Sequence, residues 1–344
     1  MKMGQTFLRE FRGKEILITG GTGSIGLGLI KKLIPYKPKL IRVLTNDENS
    51  IFEAKNKEWV NKHLTSNKKQ TELSFEMCDV RDTERLFIAM KGIDIVFHAA
   101  AMKHVDICEN NTYDAIKTNV VGTSNIIETA IKQDISKFIL ISTDKATSPT
   151  TTLGASKLLA ERLTVNAGTY NKSVKTIFAA VRFGNVIGSR GSVFQIFLEQ
   201  IRKGKSLTVT DPNMTRFIMS IPDAAELILK ATNISKGGEI FILKMPSVKI
   251  IELAENMLDV CSESKNFTKN RIKIIKNRIH DRFQEYLVTS EEIPYCHDLG
   301  TMFKISKEKK AKKVLVDELN SDTAKKISKM KLKKIIQELL SDYS

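Results

Sequence analysis

The stretch Gly20-Gly21-Thr22-Gly23-Ser24-Ile25-Gly26 decides the fold of the first half of the chain. It follows a short apolar run, Glu15–Thr19, and precedes leucines and isoleucines at helical spacing, which predicts a strand, a tight turn and a helix. In that setting Gly21-x-Gly23-x-x-Gly26 is typical of a dinucleotide-binding turn, because glycines let the backbone approach a diphosphate at the helix N-terminus. The alternative is a glycine-rich turn without a ligand.

Further apolar runs, separated by helical patterns, continue the alternation of strand and helix. They cover residues 40–44, 73–78, 93–97, 138–141 and 176–181. This order predicts an α/β fold, a Rossmann-type doubly wound parallel sheet with a smaller α/β substrate-binding domain. Ligands of such sheets bind at the carboxyl ends of the strands.

The chain is predicted to form two domains and a tail. Residues 1–182 form the dinucleotide-binding domain, to which part of 220–245 returns. Residues 183–304 form mainly the substrate domain. Residues 305–344 form a basic tail that ends in a docked helix, because apolar residues between Met330 and Leu339 recur at helical spacing.

The composition predicts a folded cytoplasmic protein. Of the 344 residues, 42% are apolar, and no apolar run approaches the ~20 residues that span a membrane. The four cysteines form no Cys-x-x-Cys pair, which argues against structural zinc and a secreted disulfide framework. The net charge of +16 is typical of proteins that bind nucleic acids. However, the lysines are spread along the chain without interleaved aromatic residues, so an anionic small substrate is favoured.

Residues at three further strand ends are predicted to contact the dinucleotide. Asn46 and Asp47 follow the second strand, where an acid binds the adenosine ribose. Thr45 stands at the usual acidic position, so NAD and NADP both stay open, and the absence of a local arginine favours NAD. Asp79-Val80 is expected at the adenine edge, and Ala99-Ala100-Ala101 leaves room for a flat cofactor.

Three other polar residues near these strand ends have structural interpretations. Asp82 precedes Thr83-Glu84-Arg85-Leu86 and is predicted to cap a helix. His98 and His104 raise the question of a metal site, but the sequence suggests no third ligand, so no metal is predicted.

The fifth predicted strand ends in Ser142-Thr143-Asp144-Lys145-Ala146, and Leu153-Gly154-Ala155-Ser156-Lys157 opens a helix near Ala155. An acid beside an amine at the carboxyl end of a strand places proton-transfer groups in the ligand cleft. The alternative is a solvated pair of opposite charges.

Arginines in the second half of the chain suggest a second anionic ligand, since guanidinium groups bind phosphate oxygens bidentately. These are Arg190, Arg216, Arg278 and Arg282. The alternative for each is a surface ion pair.

The motifs together resemble the extended short-chain dehydrogenase/reductases. The resemblance is carried by residues 20–26, 98–105, 117–123, 142–146 and 182–186. Ser189-Arg190-Gly191-Ser192-Val193 and Met214-Thr215-Arg216-Phe217 are similar to a narrower group, the UDP-N-acetylglucosamine 4,6-dehydratases (often 5-inverting) of the CapD-like polysaccharide-biosynthesis family. The chain resembles a short form that lacks the N-terminal membrane part of longer members.

The resemblance implies a reaction and a set of roles. C4 of a UDP-linked sugar is oxidised, C5 is deprotonated, the C6 hydroxyl leaves and hydride returns to C6, with NAD or NADP retained and recycled. Asp144 would be the acid at C6 and Lys145 the base at C5, with Thr143 and Lys157 completing the catalytic set. A lysine base requires a pKa drawn toward neutrality by burial or a nearby positive charge, which Lys157 would supply.

Cofactor contacts are expected at Gly20, Gly21, Thr22, Gly23, Ser24, Ile25, Gly26, Asn46, Asp47, Asp79, Val80, Ala99, Ala100, Ala101, Lys103, Asn119 and Lys157. Substrate contacts are expected at Lys103, His104, Asn185, Val186, Ser189, Arg190, Ser192, Arg216, Arg278 and Arg282. Apolar residues at helical spacing predict a helix from Asn111 to Ile131. The resemblance also implies a homo-oligomer that associates through this helix and the helix Ala155–Tyr170.

Two departures from the family pattern keep alternatives open. The superfamily's catalytic tyrosine would fall at Leu153, and the usual Arg-Pro-Gly-Glu-Lys reads Arg278-Ile279-His280-Asp281-Arg282. The rival functions are a nucleotide-sugar 4-epimerase and, from another class, a non-catalytic NAD(P)-binding sensor or assembly protein.

Overall fold

The computed structural model describes residues 2–66, 70–169, 174–262, 271–276, 282–308 and 319–341. The strands are β1 (Glu15–Thr19), β2 (Leu40–Thr45), β3 (Glu72–Met77), β4 (Ile95–His98), β5 (Lys137–Thr143), β6 (Ile177–Phe183), β7 (Asn185–Val186), β8 (Leu207–Val209), β9 (Thr215–Met219), β10 (Glu239–Leu243), β11 (Ser247–Lys249), β12 (Ile272–Ile274), β13 (Cys296–Asp298) and β14 (Met302–Ile305). The helices are α1 (Lys2–Phe11), α2 (Ser24–Leu33), α3 (Glu48–Lys55), α4 (Glu58–Thr65), α5 (Thr83–Ala89), α6 (Val105–Asn110), α7 (Thr112–Ile116), α8 (Gly122–Lys132), α9 (Thr152–Asn166), α10 (Val193–Arg202), α11 (Ile221–Ile234), α12 (Ile250–Ser262) and α13 (Lys329–Ser341).

The main sheet of the described residues has the strand order β13-β14-β10-β6-β5-β4-β1-β2-β3. The strands from β3 to β10 pair in parallel, and β14 and β13 are added antiparallel at one edge. The predicted Rossmann-type doubly wound sheet is confirmed. The strand order reverses between β1 and β4, and a crevice at such a reversal receives the ligand. The end of β5 lies one strand further along.

Burial on both faces explains the nearly continuous apolar strands. Ile16, Leu17 and Ile18 of β1 and Phe138 and Ile139 of β5 are all fully buried. Parallel strands covered by helices on both sides need apolar residues at successive positions, unlike the alternating pattern of a half-exposed strand.

The boundary of the predicted substrate domain differs from the observed placement. Residues 296–304, which the prediction assigns mainly to that domain, lie in β13 and β14 of the main sheet. Phe303 and Met302 are buried there, so this segment contributes apolar surface to the large core. β10 also lies in this sheet, beside β6.

A second core lies beside the main one. It joins α10, α12, β8 and the terminal helix α13, whose Leu332 and Ile336 are buried. The small sheets β11-β9-β7 and β12-β8 lie in this part of the chain. No helix within the described residues has both the length and the apolar character needed to cross a membrane.

The predicted helix from Asn111 to Ile131 is interrupted. α7 and α8 are joined by a π-helical turn, Lys117–Val121, which contains the buried Asn119. The Asn119 side chain accepts from the Met102 backbone N–H at 2.8 Å and donates to the Met102 carbonyl and the Ser156 hydroxyl, both at 3.0 Å. The π turn thus directs one amide side chain to hold the loop after β4, and such turns recur at functional sites.

Candidate active site

The turn between β1 and α2 is shaped for close approach of a diphosphate. Gly20 has φ +61°, and a Cβ there would lie 2.8 Å from the Cα of Ala100. A Cβ at Gly26 would lie 2.3 Å from the Cα of Gly21. The N-cap of α2 is Gly23, which has no side chain to occupy the first backbone N–H groups. The residues present therefore fit a dinucleotide diphosphate.

Replacement of Gly26 by Ala should weaken dinucleotide binding at least ~10-fold, because the methyl group must displace the backbone of Gly21, and overpacking costs about 1–3 kcal/mol. Titration of the purified protein with NADH, followed by fluorescence, measures the change. Gly168→Ala is the matched control, since nothing lies within 4 Å of its added Cβ. Equal affinities in the two variants would contradict the assignment of the turn.

The predicted adenosine contacts are brought together at the ends of β2 and β3. Asn46 Nδ2 donates to Asp79 Oδ2 at 3.4 Å. Arg81 binds Asp79 through Nε at 3.0 Å and Nη2 at 2.7 Å, and these bonds lower the pKa of Asp79 although burial opposes them. An arginine is therefore near this end of the cleft, although none stands among the residues that directly follow β2. The presence of Arg81 removes the sequence argument that favoured NAD over NADP.

Two aspartates here cap helices. Asp47 accepts from the backbone N–H of Asn49 and is the N-cap of α3, a role the sequence reading did not give it. Asp82 accepts from the N–H of Arg85 and caps α5, as predicted. Each satisfies a donor that the first helical turn would otherwise leave unpaired.

His98 is fully enclosed. Its Nδ1 lies 2.7 Å from Thr19 Oγ1 and its Nε2 lies 3.0 Å from Thr123 Oγ1. Burial and the charge of Lys157 lower the pKa of His98 to about 3, so the ring is neutral. Within the described ranges, no group of three His, Cys, Asp or Glu side chains could hold a metal ion.

The loop that contains Arg190 and Gly191 contacts the dinucleotide turn between β1 and α2. The Arg190 backbone N–H donates to Ser24 Oγ at 3.1 Å, its guanidinium pairs with Glu53 at 2.9 Å, and its carbonyl accepts from Lys103 Nζ. His104 lies directly against Gly191. The structure thus joins four residues that the sequence predicted as separate ligand contacts: Ser24, Lys103, His104 and Arg190. Ser189 and Ser192 belong to the same loop, and the buried Ser192 Oγ has no hydrogen-bond partner in the part of the chain that the structure describes.

The acid–amine pair lies in the short turn after β5. Asp144 is 1% exposed, and its Oδ1 accepts from Thr143 Oγ1 at 2.9 Å and Lys145 Nζ at 3.1 Å. Lys145 Nζ also donates to Asn185 Oδ1 at 3.2 Å and to Glu285 Oε1 at 3.0 Å. The alternative of a solvated surface pair is excluded, because Asp144 is buried and Lys145 is held by three partners.

Glu285 is a residue of the site that the sequence analysis did not predict. It is buried and accepts from Asn185 Nδ2 at 2.8 Å as well as from Lys145. Arg216 Nε lies 3.4 Å from the same carboxylate. One glutamate therefore contacts three of the predicted catalytic and substrate residues, which come from the turn after β5, from β7 and from β9.

The charges around Lys145 differ from the expectation. Burial lowers the pKa of Lys145, but the Asp144 and Glu285 carboxylates outweigh it, and the pKa is raised above its ordinary value. The prediction of a Lys145 pKa drawn toward neutrality was wrong, because the neighbours in contact are acids and not Lys157. Burial and the charge of Glu285 raise the pKa of Asp144 to about 7.

Lys157 is the lysine whose pKa is lowered. It is buried on α9, and its Nζ donates to the Ile141 carbonyl at 2.6 Å. Burial lowers the pKa of Lys157 to about 8. Leu153, one turn earlier, is buried against Cys108 and Ala115 and offers no polar group.

The two arginines of the altered segment 278–282 differ in what the structure describes. Arg278 lies outside the described residues. Arg282 Nη1 donates to the Thr147 carbonyl at 3.0 Å and Nε to Thr150 Oγ1 at 3.2 Å. Its guanidinium thus holds the loop after Lys145, whereas Arg216 lies in the cluster with Glu285.

A glycine-rich turn over a doubly wound sheet, with an acid–amine pair at the end of β5, defines an extended short-chain dehydrogenase/reductase architecture. A family model described as polysaccharide biosynthesis protein matches residues 16–307, and the chain belongs to this family. The resemblance drawn from the motifs is confirmed at this level.

Two related proteins and two solved structures are similar to the chain. A Methanocaldococcus jannaschii protein, named as an uncharacterized membrane protein, is 45% identical over 98% of this chain and 99% of its own length. A UDP-glucose 4-epimerase of Rickettsia canadensis is 38% identical over 86% of this chain and 83% of its own length. The structure of Pen from Bacillus thuringiensis shares 38% identity with a TM-score of 0.87, covering 96% of this chain and 98% of Pen. DesIV, a dTDP-glucose 4,6-dehydratase from Streptomyces venezuelae solved with NAD and TYD, shares the fold at 19% identity and a TM-score of 0.66, covering 78% of this chain and 86% of DesIV.

Proposed function

We propose that the protein is a nucleotide-sugar 4,6-dehydratase that acts on UDP-N-acetylglucosamine with bound NAD or NADP. The observation that carries the proposal is the Asp144–Lys145 pair, with its buried Asp144, at the carboxyl end of β5, two strands from the dinucleotide turn. Dehydration needs an acid at C6 and a base at C5, and the pair supplies both kinds of group. An acid with a pKa of about 7 is protonated in part at neutral pH, as a general acid requires.

The bound dinucleotide would supply the hydride chemistry at C4 and C6. The glycine turn would hold its diphosphate, Lys157 of α9 reaches Ile141 of β5, and Asn119 of the π turn reaches Met102 in the loop after β4. Asp144 would donate a proton to the departing C6 hydroxyl. Lys145 would take the C5 proton as the neutral amine, which requires substrate binding to release the proton that Asp144 and Glu285, within 3.1 Å of Nζ, otherwise hold on it. Leu153 has no ionisable group and takes no proton.

A second candidate is a nucleotide-sugar 4-epimerase, which the name of the Rickettsia canadensis relative favours. Epimerisation at C4 needs neither an acid at C6 nor a base at C5. The buried cluster around Asp144 therefore supports dehydration. It also argues against a non-catalytic binding protein, because buried titratable groups with shifted pKa values cluster at functional sites.

Self-association through the helices beside the site is part of the proposal. α6 and α7 expose the apolar side chains of Ile107, Tyr113 and Ile116, and α9 exposes Leu159. Apolar surface of this kind on neighbouring helices supports a contact with a second copy of the chain.

Incubation of the protein with UDP-N-acetylglucosamine tests the function. We expect a product that has lost one water, detected by mass spectrometry, with the configuration at C5 read by proton NMR. UDP-glucose in a parallel reaction measures the preference for the N-acetyl group. An isomer of unchanged mass would instead support the epimerase.

A further inference from the structure

The donors around Asp144 and Glu285 are unequally shared. Glu285 receives hydrogen bonds on both oxygens, from Lys145 on Oε1 and from Asn185 on Oε2, and it pairs with Arg216. Asp144 receives its donors on Oδ1. Its Oδ2 is buried, and no donor among the described residues binds it. An ionised carboxylate with one buried oxygen unpaired is costly, whereas a protonated one turns that oxygen into a donor.

We propose that Asp144 and Glu285 form a carboxyl pair that holds one shared proton, carried by Asp144, and that Glu285 is the positioning residue that keeps Asp144 an acid. The inference rests on the proposed function for its catalytic meaning, but the protonation of the pair stands independently. Both buried carboxyls bind the same Lys145 Nζ, at 3.1 and 3.0 Å, and two carboxyls this close do not both ionise readily. The hydrogen-bond donors determine which carboxyl is ionised. Glu285 receives them on both of its oxygens, whereas Asp144 receives them on Oδ1.

The surrounding charges agree with this distribution. The charged groups that face the pair are Lys145, from the turn after β5, and Arg216, from β9; Thr143 and Asn185 are neutral. Burial raises the pKa of Glu285, but Lys145 and Arg216 outweigh it, together with a hydrogen bond from Asp144, and the pKa falls to about 2. The charge of Glu285 adds to burial in raising the pKa of Asp144. Glu285, as the ionised member, keeps Lys145 protonated by its charge and its hydrogen bond to Nζ.

The test is the titration of the Asp144 carboxyl by NMR on protein labelled with ¹³C-aspartate, the resonance being assigned by its loss in Asp144→Asn. In the native protein we expect a pKa near neutrality. In Glu285→Gln we expect the acid dissociation constant of Asp144 to increase at least ~10-fold, because a like charge is removed and the Gln amide can donate to Oδ2. Glu292→Gln, another buried glutamate of the same segment but paired with Arg182, should leave the titration unchanged.

Each outcome decides the inference. A native Asp144 that titrates at its ordinary value would overturn it, and this result needs no variant to fold. Equal titrations in the native protein and folded Glu285→Gln would overturn it as well. If the shift is found but UDP-N-acetylglucosamine is not dehydrated, the shared proton stands and the proposed function fails. If both hold, the alkaline limb of the pH profile of kcat should move to lower pH in Glu285→Gln, which loss of structure alone would not cause.

Discussion

Replacement of Lys145 by Met should lower the rate of dehydration by ~10²–10⁴-fold, the usual contribution of a general acid or base. The expected reason is the loss of the amine that takes the C5 proton. Met has a similar length and leaves Glu285 paired with Arg216, so the site should keep its shape. Solvent-deuterium exchange at C5 should be lost with the dehydration.

The matched control is Lys137→Met, at the opposite end of the same strand. Lys137 pairs with Glu10 at 2.7 Å and donates to the Thr232 carbonyl at 2.8 Å, far from the carboxyl end of β5. Its replacement should cost stability without removing C5 exchange. Exchange at the native rate in folded Lys145→Met would show that another group takes the C5 proton.

Replacement of Arg182 by Leu should lower the free energy of unfolding by about 3–5 kcal/mol, because it leaves buried carboxylates without their cation. Arg182 is fully buried and binds Glu161 through Nε at 3.0 Å and Nη2 at 2.6 Å. It binds Glu292 at 2.8 and 2.9 Å and donates to the Leu287 carbonyl at 2.9 Å. These contacts join β6 and α9 to the segment that carries Glu285.

Urea unfolding followed by circular dichroism measures the effect. Arg162→Leu is the control, since Arg162 approaches the same Glu292 at 3.9 Å with a side chain that is 54% exposed. Its removal should cost at most about 1 kcal/mol, as for other exposed pairs. A similar small loss in Arg182→Leu would contradict the view that this arginine anchors the segment of Glu285.

Local patterns were enough to predict the fold and part of the candidate site. The glycine turn, the strand ends at Asp79 and Asp144 and the cap at Asp82 depend on residues close in sequence, and period and spacing determine them. Asn119 was expected to contact the cofactor, but the π turn that directs its side chain to Met102 was not predicted. That turn depends on a partner in a different loop.

Glu285 and the charge of Lys145 could not be derived in this way. Glu285 follows the altered segment 278–282, and its place is set by pairing with residues 319–321, where its backbone N–H donates to Ser321 Oγ at 2.9 Å. No periodic pattern connects those stretches to β5. The pKa of Lys145 depends on that long-range contact, so a sequence argument that considered only Asp144 and Lys157 reached the wrong direction. The sequence offered one indication of Glu285: an acid without an assigned role close to the segment 278–282, where the family motif has diverged.

The most direct test of the dehydratase assignment is the mass of the UDP-sugar after incubation of the protein with UDP-N-acetylglucosamine in deuterium oxide. Dehydration with proton transfer at C5 predicts a product that has lost one water and carries one deuterium bound to carbon. A UDP-sugar of unchanged mass, without deuterium on carbon and inverted at C4, would contradict the assignment in favour of a 4-epimerase.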